Sequence, residues 1–220
     1  MKKKIIAIAL CAALAVGGVV AGSLAWLQAE TPDVVNTFTY GDINIELTET
    51  DPENDSNALN NSYKMIPGYS IAKDPTVTVK TGSEDCLLFV KVEKSDYYDT
   101  YLEETMGDGW IQLTKTVEGL EVDVEGVYYR TVLATDATKT FSVLKDNKVT
   151  VKDTVTKADM EAIDGIVADG SAEGAAQAEL DKRPTLTFKA YAHQLHKSEV
   201  AGNDFTAEEA WKNLTTPATP

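Results

Sequence analysis

Short segments in which apolar and polar residues alternate recur along most of this chain of 220 residues. Successive side chains on a β-strand point to opposite faces, so strict alternation indicates strands with one buried face. Turn-forming pairs such as Pro67-Gly68 separate these segments. About eight segments fit the pattern: 43–47, 76–79, 86–92, 110–117, 127–133, 140–144, 148–151 and 186–192. We therefore predict a mainly β fold, an antiparallel sandwich of two sheets.

One of these segments is apolar on both faces where it begins. The run Cys86-Leu87-Leu88-Phe89-Val90 has no polar residue, which is typical of a strand at the centre of a sandwich. Cys86 is the only cysteine after residue 25, so an internal disulfide cannot form once a leader is removed. We expect Cys86 to be buried as an apolar side chain. The alternative is a thiol that bonds to another molecule.

The first 25 residues are predicted to be a secretory signal peptide. Three lysines, Lys2 to Lys4, precede an apolar run that ends in small residues, with Ser23 and Ala25 at the −3 and −1 positions. Cleavage is therefore expected between Ala25 and Trp26, and the mature protein is expected to be secreted, in an extracellular matrix or at the cell surface. An uncleaved anchor is the alternative, because residues 5–27 are just long enough to span a bilayer.

The charge of the chain excludes several classes of partner and site. Acidic residues outnumber basic ones by 35 to 20, which gives a formal charge of −15. Nucleic acids and anionic lipids need a basic patch, so we expect neither to bind the folded part, and membrane contact only through an uncleaved leader. The sequence has no phosphate-binding loop and no nucleophile elbow. We predict no catalytic residue and no cofactor.

Two groups of residues are the candidates for a metal site. His193 and His196 are three residues apart, and no glutamate follows the first of them as in the zinc-peptidase motif His-Glu-x-x-His. Positions three apart on a strand point to opposite faces, which favours two histidines at the rim. The loop with Asp51, Glu53 and Asp55 is rich in carboxylates. It lacks the glycine and the final glutamate of an EF-hand, which favours a solvated loop.

Two segments have helical features. Residues 156–182 are rich in Ala and Glu, with apolar residues at helical spacing, and we predict a helical insertion at the surface. Thr206 and Glu209 have the spacing of a capping box, which predicts a short C-terminal helix. The domain is thus expected to span residues 41–214, with a disordered tail at 215–220.

Residues 26–40, between leader and domain, are predicted to form an extended N-terminal segment. At Gly41 the alternation slips by one residue, and glycine permits the bend or bulge that such a slip requires, so Gly41 is a predicted hinge. The segment can then belong to a different sheet or a different molecule from the strand that follows, or it can fold back as an edge strand. Its predicted strand residues are Val34, Val35, Thr37, Phe38 and Tyr40.

Four short motifs, taken in order, point to one family. Ala25 at the end of the leader is followed at once by the aromatic Trp26; residues 35–47 are VNTFTYGDINIEL, residues 65–69 are MIPGY, and residues 187–192 are TFKAYA. In this order they resemble the TasA/camelysin (CalY) family of Gram-positive bacteria. Leaders of this type are cut by a SipW-type signal peptidase, and the domains open with N-x-F-x-x-G-x-(I/L)-x-(I/L).

The resemblance implies a jelly-roll-like sandwich at the cell surface that assembles into fibres of the biofilm matrix. It implies a homopolymer in which the N-terminal segment of one subunit completes a sheet of the next, with a SipW-type peptidase and an accessory matrix protein as further partners. The family also carries a metallo-endopeptidase label, which the two histidines do not support. A camelysin-like peptidase and a monomeric adhesin or binding module are therefore the alternatives.

Overall fold

The computed structural model describes residues 41–51, 61–160 and 183–216. Ten strands lie in this part of the chain: β1 (Ile45–Thr48), β2 (Ser70–Ala72), β3 (Thr76–Val79), β4 (Cys86–Lys94), β5 (Leu102–Glu103), β6 (Ile111–Val117), β7 (Leu120–Val132), β8 (Thr140–Ser142), β9 (Lys148–Val151) and β10 (Leu186–Gln194). The helices are α1 (Tyr98–Tyr101) and α2 (Ala207–Thr215), residues 157–160 are also helical, and Lys145–Asn147 forms a 3-10 turn.

All the strands pair antiparallel, in three sheets. We name each sheet after its middle or most buried strand. The β3 sheet has the order β1-β3-β8, the β4 sheet β10-β4-β7-β6, and the β9 sheet β2-β9-β5. The predicted mainly β, antiparallel fold is confirmed.

The main core lies between the β3 sheet and the β4 sheet. Val77 and Val79 of β3 pack against Leu88 and Val90 of β4, and all four are buried. Trp110 closes this core beside β8, where its indole N–H donates to the carbonyl of Ser142 at 2.9 Å. Burying each such aliphatic side chain contributes roughly 1.5–3 kcal/mol to the stability of the fold.

The strand β4 is buried on both faces. Cys86, Leu88 and Val90 face the β3 sheet, whereas Leu87 and Phe89 face α2. This explains the uninterrupted apolar run and confirms the predicted central strand. The predicted burial of Cys86 is confirmed as well, and desolvation raises the pKa of its thiol to about 11.

The helix α2 covers the outer face of the β4 sheet. The Thr206 hydroxyl accepts from the N–H of Glu209 at 3.2 Å, and the Glu209 carboxylate accepts from the N–H of Thr206 at 2.9 Å, so the predicted capping box is confirmed. Ala210 is fully buried, and the Trp211 ring lies 5.5 Å from that of Phe89. The domain therefore has three layers, in which the β4 sheet lies between the β3 sheet and α2.

The β9 sheet extends the fold beside the β3 sheet. Tyr98 of α1 and Leu102 of β5 pack against Val149 and Val151 of β9 in a second buried cluster. Its outer strands β2 and β5 have only three and two residues. They were absent from the predicted set because so short a segment shows no alternation.

Two predicted strands begin two or more residues away from the observed start. The first predicted strand began at Ile43, but β1 begins at Ile45, because the N–H of Asn44 donates to the Ser83 hydroxyl at 3.0 Å instead of to a strand. The predicted strand at 127–133 is the second half of β7, which begins at Leu120. Its two halves have different phases because the ladder between β6 and β7 shifts register in the middle.

Several predictions fall outside the described residues. These are the signal peptide (1–25), the N-terminal segment (26–40), most of the helical insertion (156–182) and most of the tail (215–220). Within the insertion only residues 157–160 are described as helical. No helix among the described residues is long and apolar enough to cross a bilayer.

The close approach of Gly126 to β4 can be tested with Gly119 as the matched control. Both have a left-handed φ, +67° and +83°, so alanine costs about 1–2 kcal/mol at either position. A Cβ at Gly126 would also collide with the carbonyl oxygen of Val92, whereas space around Gly119 is open. Gly126→Ala is therefore expected to lower the free energy of unfolding by about 1–3 kcal/mol more than Gly119→Ala. Urea denaturation measures both, and equal losses would contradict this account.

Candidate functional site

The strands β1 and β10 form two sheet edges on the same side of the sandwich. These strands end their respective sheets and pack against each other across the sandwich. Among residues 41–51, 61–160 and 183–216, no strand pairs with the outer edge of either. An unpaired edge presents a row of free N–H and C=O groups, which is a template for another strand.

The outward backbone groups of β10 follow from its register with β4. The N–H of Ser95 donates to the carbonyl of Thr185 at 3.1 Å, and the N–H of Leu195 donates to that of Asp85 at 2.9 Å. Antiparallel residues alternate between facing their partner strand and facing away, so the odd-numbered residues of β10 bond to β4. The residues with outward N–H and C=O groups are Leu186, Phe188, Ala190, Ala192 and Gln194.

The edge of β1 is shorter and follows the same rule. The N–H of Lys80 donates to the carbonyl of Asn44 at 2.8 Å, so the backbone groups of Ile45 and Leu47 point away from β3. Four residues of β1 thus lie opposite the nine of β10. β10 presents the longer template, roughly 30 Å of strand.

A cleft of about 990 Å³ lies beside β1 and β10. Leu47 of β1 and Leu186 and Phe188 of β10 line the cleft, and Met65 and Ile71 add further apolar surface. The cleft therefore presents apolar surface beside both strand edges. Such a space accepts side chains of an added strand more readily than a charged solute.

A largely buried ion pair forms part of the wall of this cleft. The Lys73 ammonium lies 2.8 Å from Oε1 and 3.1 Å from Oε2 of Glu49, and the two side chains are only 12% and 14% exposed. The Tyr63 hydroxyl donates to the same carboxylate at 2.6 Å, and the ammonium lies 5.0 Å from the Tyr63 ring centroid. Burial, and then the bond to Glu49, raise the pKa of the Tyr63 phenol. These groups satisfy one another and tie the end of β1 to the segment before β3.

The two predicted histidines lie at the far end of β10 and have separate partners. His193 faces α2, and its ring centroid lies 4.5 Å from that of Phe205, just before the helix. His196 lies between two carboxylates, Asp85 and Asp204, at 2.9 and 2.6 Å. Within the described part of the chain, no three His, Cys, Asp or Glu side chains are grouped so that they could hold a metal ion.

The remaining predicted residues are only partly described. Asp51 is half-buried at the end of the first described stretch, and Glu53 and Asp55 lie outside the described residues. Gly41, the predicted hinge, is exposed, and a Cβ there would touch the Glu84 side chain. The predicted cleavage and polymerisation residues also lie outside the described residues: Ala25, Trp26, Val34, Val35, Thr37, Phe38 and Tyr40.

Comparisons with known proteins do not assign the chain to a class or a family. No protein-family model, no curated protein and no solved structure matches it. The resemblance to the TasA/camelysin family stays a prediction from the sequence motifs.

Sequence reasoning missed the ion pair in the cleft. Lys73 and Glu49 are 24 residues apart and stand among other charged residues, so neither differs from a solvated surface charge until the fold brings them together. The only available signal is position, because Glu49 directly follows β1 and Lys73 directly follows β2.

Lys73→Met tests whether this pair stabilises the fold. It leaves the Glu49 carboxylate buried without its cation, so we expect a loss of about 3 kcal/mol in the free energy of unfolding. Lys91→Met is the matched control, because the pair of Lys91 and Glu93 is more than one-third exposed and contributes at most about 1 kcal/mol. Adding Glu49→Leu to Lys73→Met should recover part of the loss in urea denaturation. Equal effects of the two lysine substitutions would contradict a buried role.

Proposed function

We propose that the protein is a secreted structural subunit that polymerises head to tail into extracellular fibres. The N-terminal segment of one copy pairs as an extra strand with the free β10 edge of the next copy. In this proposal the sandwich is a jelly roll that lacks one strand of its own. The observation that carries the proposal is the nine-residue outer edge of β10, which has no partner strand among the described residues.

The side chains along β10 favour an incoming strand with bulky residues. Phe188, Ala190 and Ala192 face the core between the sheets. Two of them are alanines, so large side chains of a neighbouring strand can fill the adjacent space. Phe38 and Tyr40 are two residues apart in the donor segment and thus share one face of a strand. The donor pattern therefore complements the acceptor.

The order of the chain favours an open polymer. The donor segment precedes β1 directly and the acceptor edge belongs to β10 of the same domain, so every subunit carries one donor and one acceptor. Such heterologous contacts form filaments when the rotation between subunits does not close a ring. Cleavage after Ala25 by a SipW-type peptidase frees the donor, and assembly then begins outside the cell, with an accessory matrix protein as a further proposed partner.

Removal of the donor segment tests the polymer. The chain that starts at Trp26 is expected to form filaments in electron micrographs and to sediment as large species. The chain that starts at Gly41 is expected to stay monomeric and folded. If the longer chain stays monomeric at high concentration, the segment folds back onto its own domain and the fibre proposal fails.

A second experiment identifies the acceptor edge. Ala190→Pro removes an outward N–H without touching the bonds to β4, and proline is tolerated on edge strands. Ala190→Ser at the same position keeps the N–H and is the matched control. We expect the proline variant to remain folded by circular dichroism but not to form filaments, whereas the serine variant polymerises normally.

Mixing the two defective chains completes this test. The Ala190→Pro chain keeps a donor but no acceptor, and the chain that starts at Gly41 keeps an acceptor but no donor. Together they should give a one-to-one heterodimer by analytical ultracentrifugation. Filaments formed by Ala190→Pro alone would show that β10 is not the acceptor.

A further inference from the structure

His196 is held by carboxylates on both ring nitrogens. Its Nε2 lies 2.9 Å from Oδ2 of Asp85, and its Nδ1 lies 2.6 Å from Oδ1 of Asp204. A neutral imidazole has one N–H and one lone pair, so one of the two contacts would place a lone pair against a carboxylate. Both contacts are hydrogen bonds only when the ring is an imidazolium. The geometry is therefore that of a charged histidine.

The two carboxylates belong to distant parts of the chain. Asp85 precedes β4, and its other oxygen accepts from the N–H of Ala134, after β7, at 2.6 Å. Asp204 lies two residues before the capping residue of α2 and forms a β-bridge with His196. His196 thus joins the entry to α2 to the ends of two neighbouring strands of the β4 sheet.

The backbone around His196 leads directly to α2. The N–H of Leu195 donates to the carbonyl of Asp85 at 2.9 Å, and the N–H of Phe205 donates to the carbonyl of Leu195 at 2.8 Å. Phe205 packs with Trp211 in the cluster that α2 covers. Loosening of the His196 contacts would therefore act first on the docking of α2.

The charged groups around this corner come from four elements. Asp85 lies before β4, Lys139 lies after β7 and acts on Asp85, and Asp204 and Lys197 lie in the connection. The ammonium of Lys197 is paired with Glu209 of α2 at 2.8 Å. Since Lys197 is already paired, Asp85 and Asp204 set the charge state of the ring.

We propose that His196 is a proton-dependent clasp that fastens α2 to the β4 sheet. The charged ring donates to both carboxylates and holds the entry to the helix. Loss of one proton turns one of these hydrogen bonds into a repulsive contact and increases local opening of α2. The rest of the sandwich has its own core and stays folded.

The pH at which the clasp opens follows from the direction of the pKa shift. Hydrogen bonds to Asp85 and then Asp204 raise the pKa of His196 above its ordinary value of 6.5. The stabilisation is complete below that ordinary value and is lost as the pH rises through the raised pKa. The N–H of Ala134 and the bond to His196 lower the pKa of Asp85, so this carboxylate stays charged into the acid range.

Hydrogen exchange of the α2 amides in wild type and His196→Gln tests the clasp. Comparing both chains at the same pH cancels the intrinsic pH dependence of exchange. The exchange rate is expected to be severalfold higher in the variant at about pH 6, because the clasp contributes there, and equal in both chains at about pH 10. A ratio that stays constant across this range would mean that His196 only fills space, and it would overturn the proposal.

A second measurement uses the wild-type chain and two asparagine variants. The ring nitrogens of His196, followed by NMR, should titrate with a midpoint above 6.5, and α2 exchange should rise with the same midpoint. Asp204→Asn should lower that midpoint. Asp136→Asn is the control, because Asp136 lies at the same corner but bonds to the N–H of Leu133. A His196 midpoint at or below 6.5, or one that Asp204→Asn leaves unchanged, would overturn the proposal.

Discussion

The burial of β4 on both faces is the constraint on which the rest of the structure depends. Its alternate side chains point in opposite directions, so two separate layers must cover it, the β3 sheet on one face and α2 on the other. Because the apolar side chains of β4 cannot be exposed on either side without loss of stability, sheet and helix pack on the same strand.

This layered arrangement covers the faces of the sheets but not their outermost strands, whose backbone groups need other partners. On one side the Trp110 indole and the segment that leads to it cover β8, and the outer edge of β6 has no partner strand among the described residues. On the other side the outer edges of β1 and β10 have no partner strand among the described residues. The fibre proposal rests on the side with β1 and β10, since an added strand there would satisfy the free backbone groups and cover the cleft at once.

Sequence alone predicted the elements whose signal is local. The alternation in β3 and β10, the double-faced run of β4 and the capping box at Thr206 all lie within a few residues, and each was confirmed. The first half of β7 was missed although Leu120, Val122 and Val124 alternate with acidic residues, and Leu120 and Val122 stay exposed near the turn. The candidate site was harder to predict from sequence, because unpaired edges are a property of strand order and not of any one segment.

The sequence by itself determined that this chain builds antiparallel strands around one central strand and ends in a capped helix, since period and capping act between near neighbours. Only the tertiary structure decided which strands lie at the edges, that Lys73 meets Glu49, and that His196 stands between Asp85 and Asp204. These contacts join residues far apart in the chain, and burial sets their energies, which no local pattern encodes.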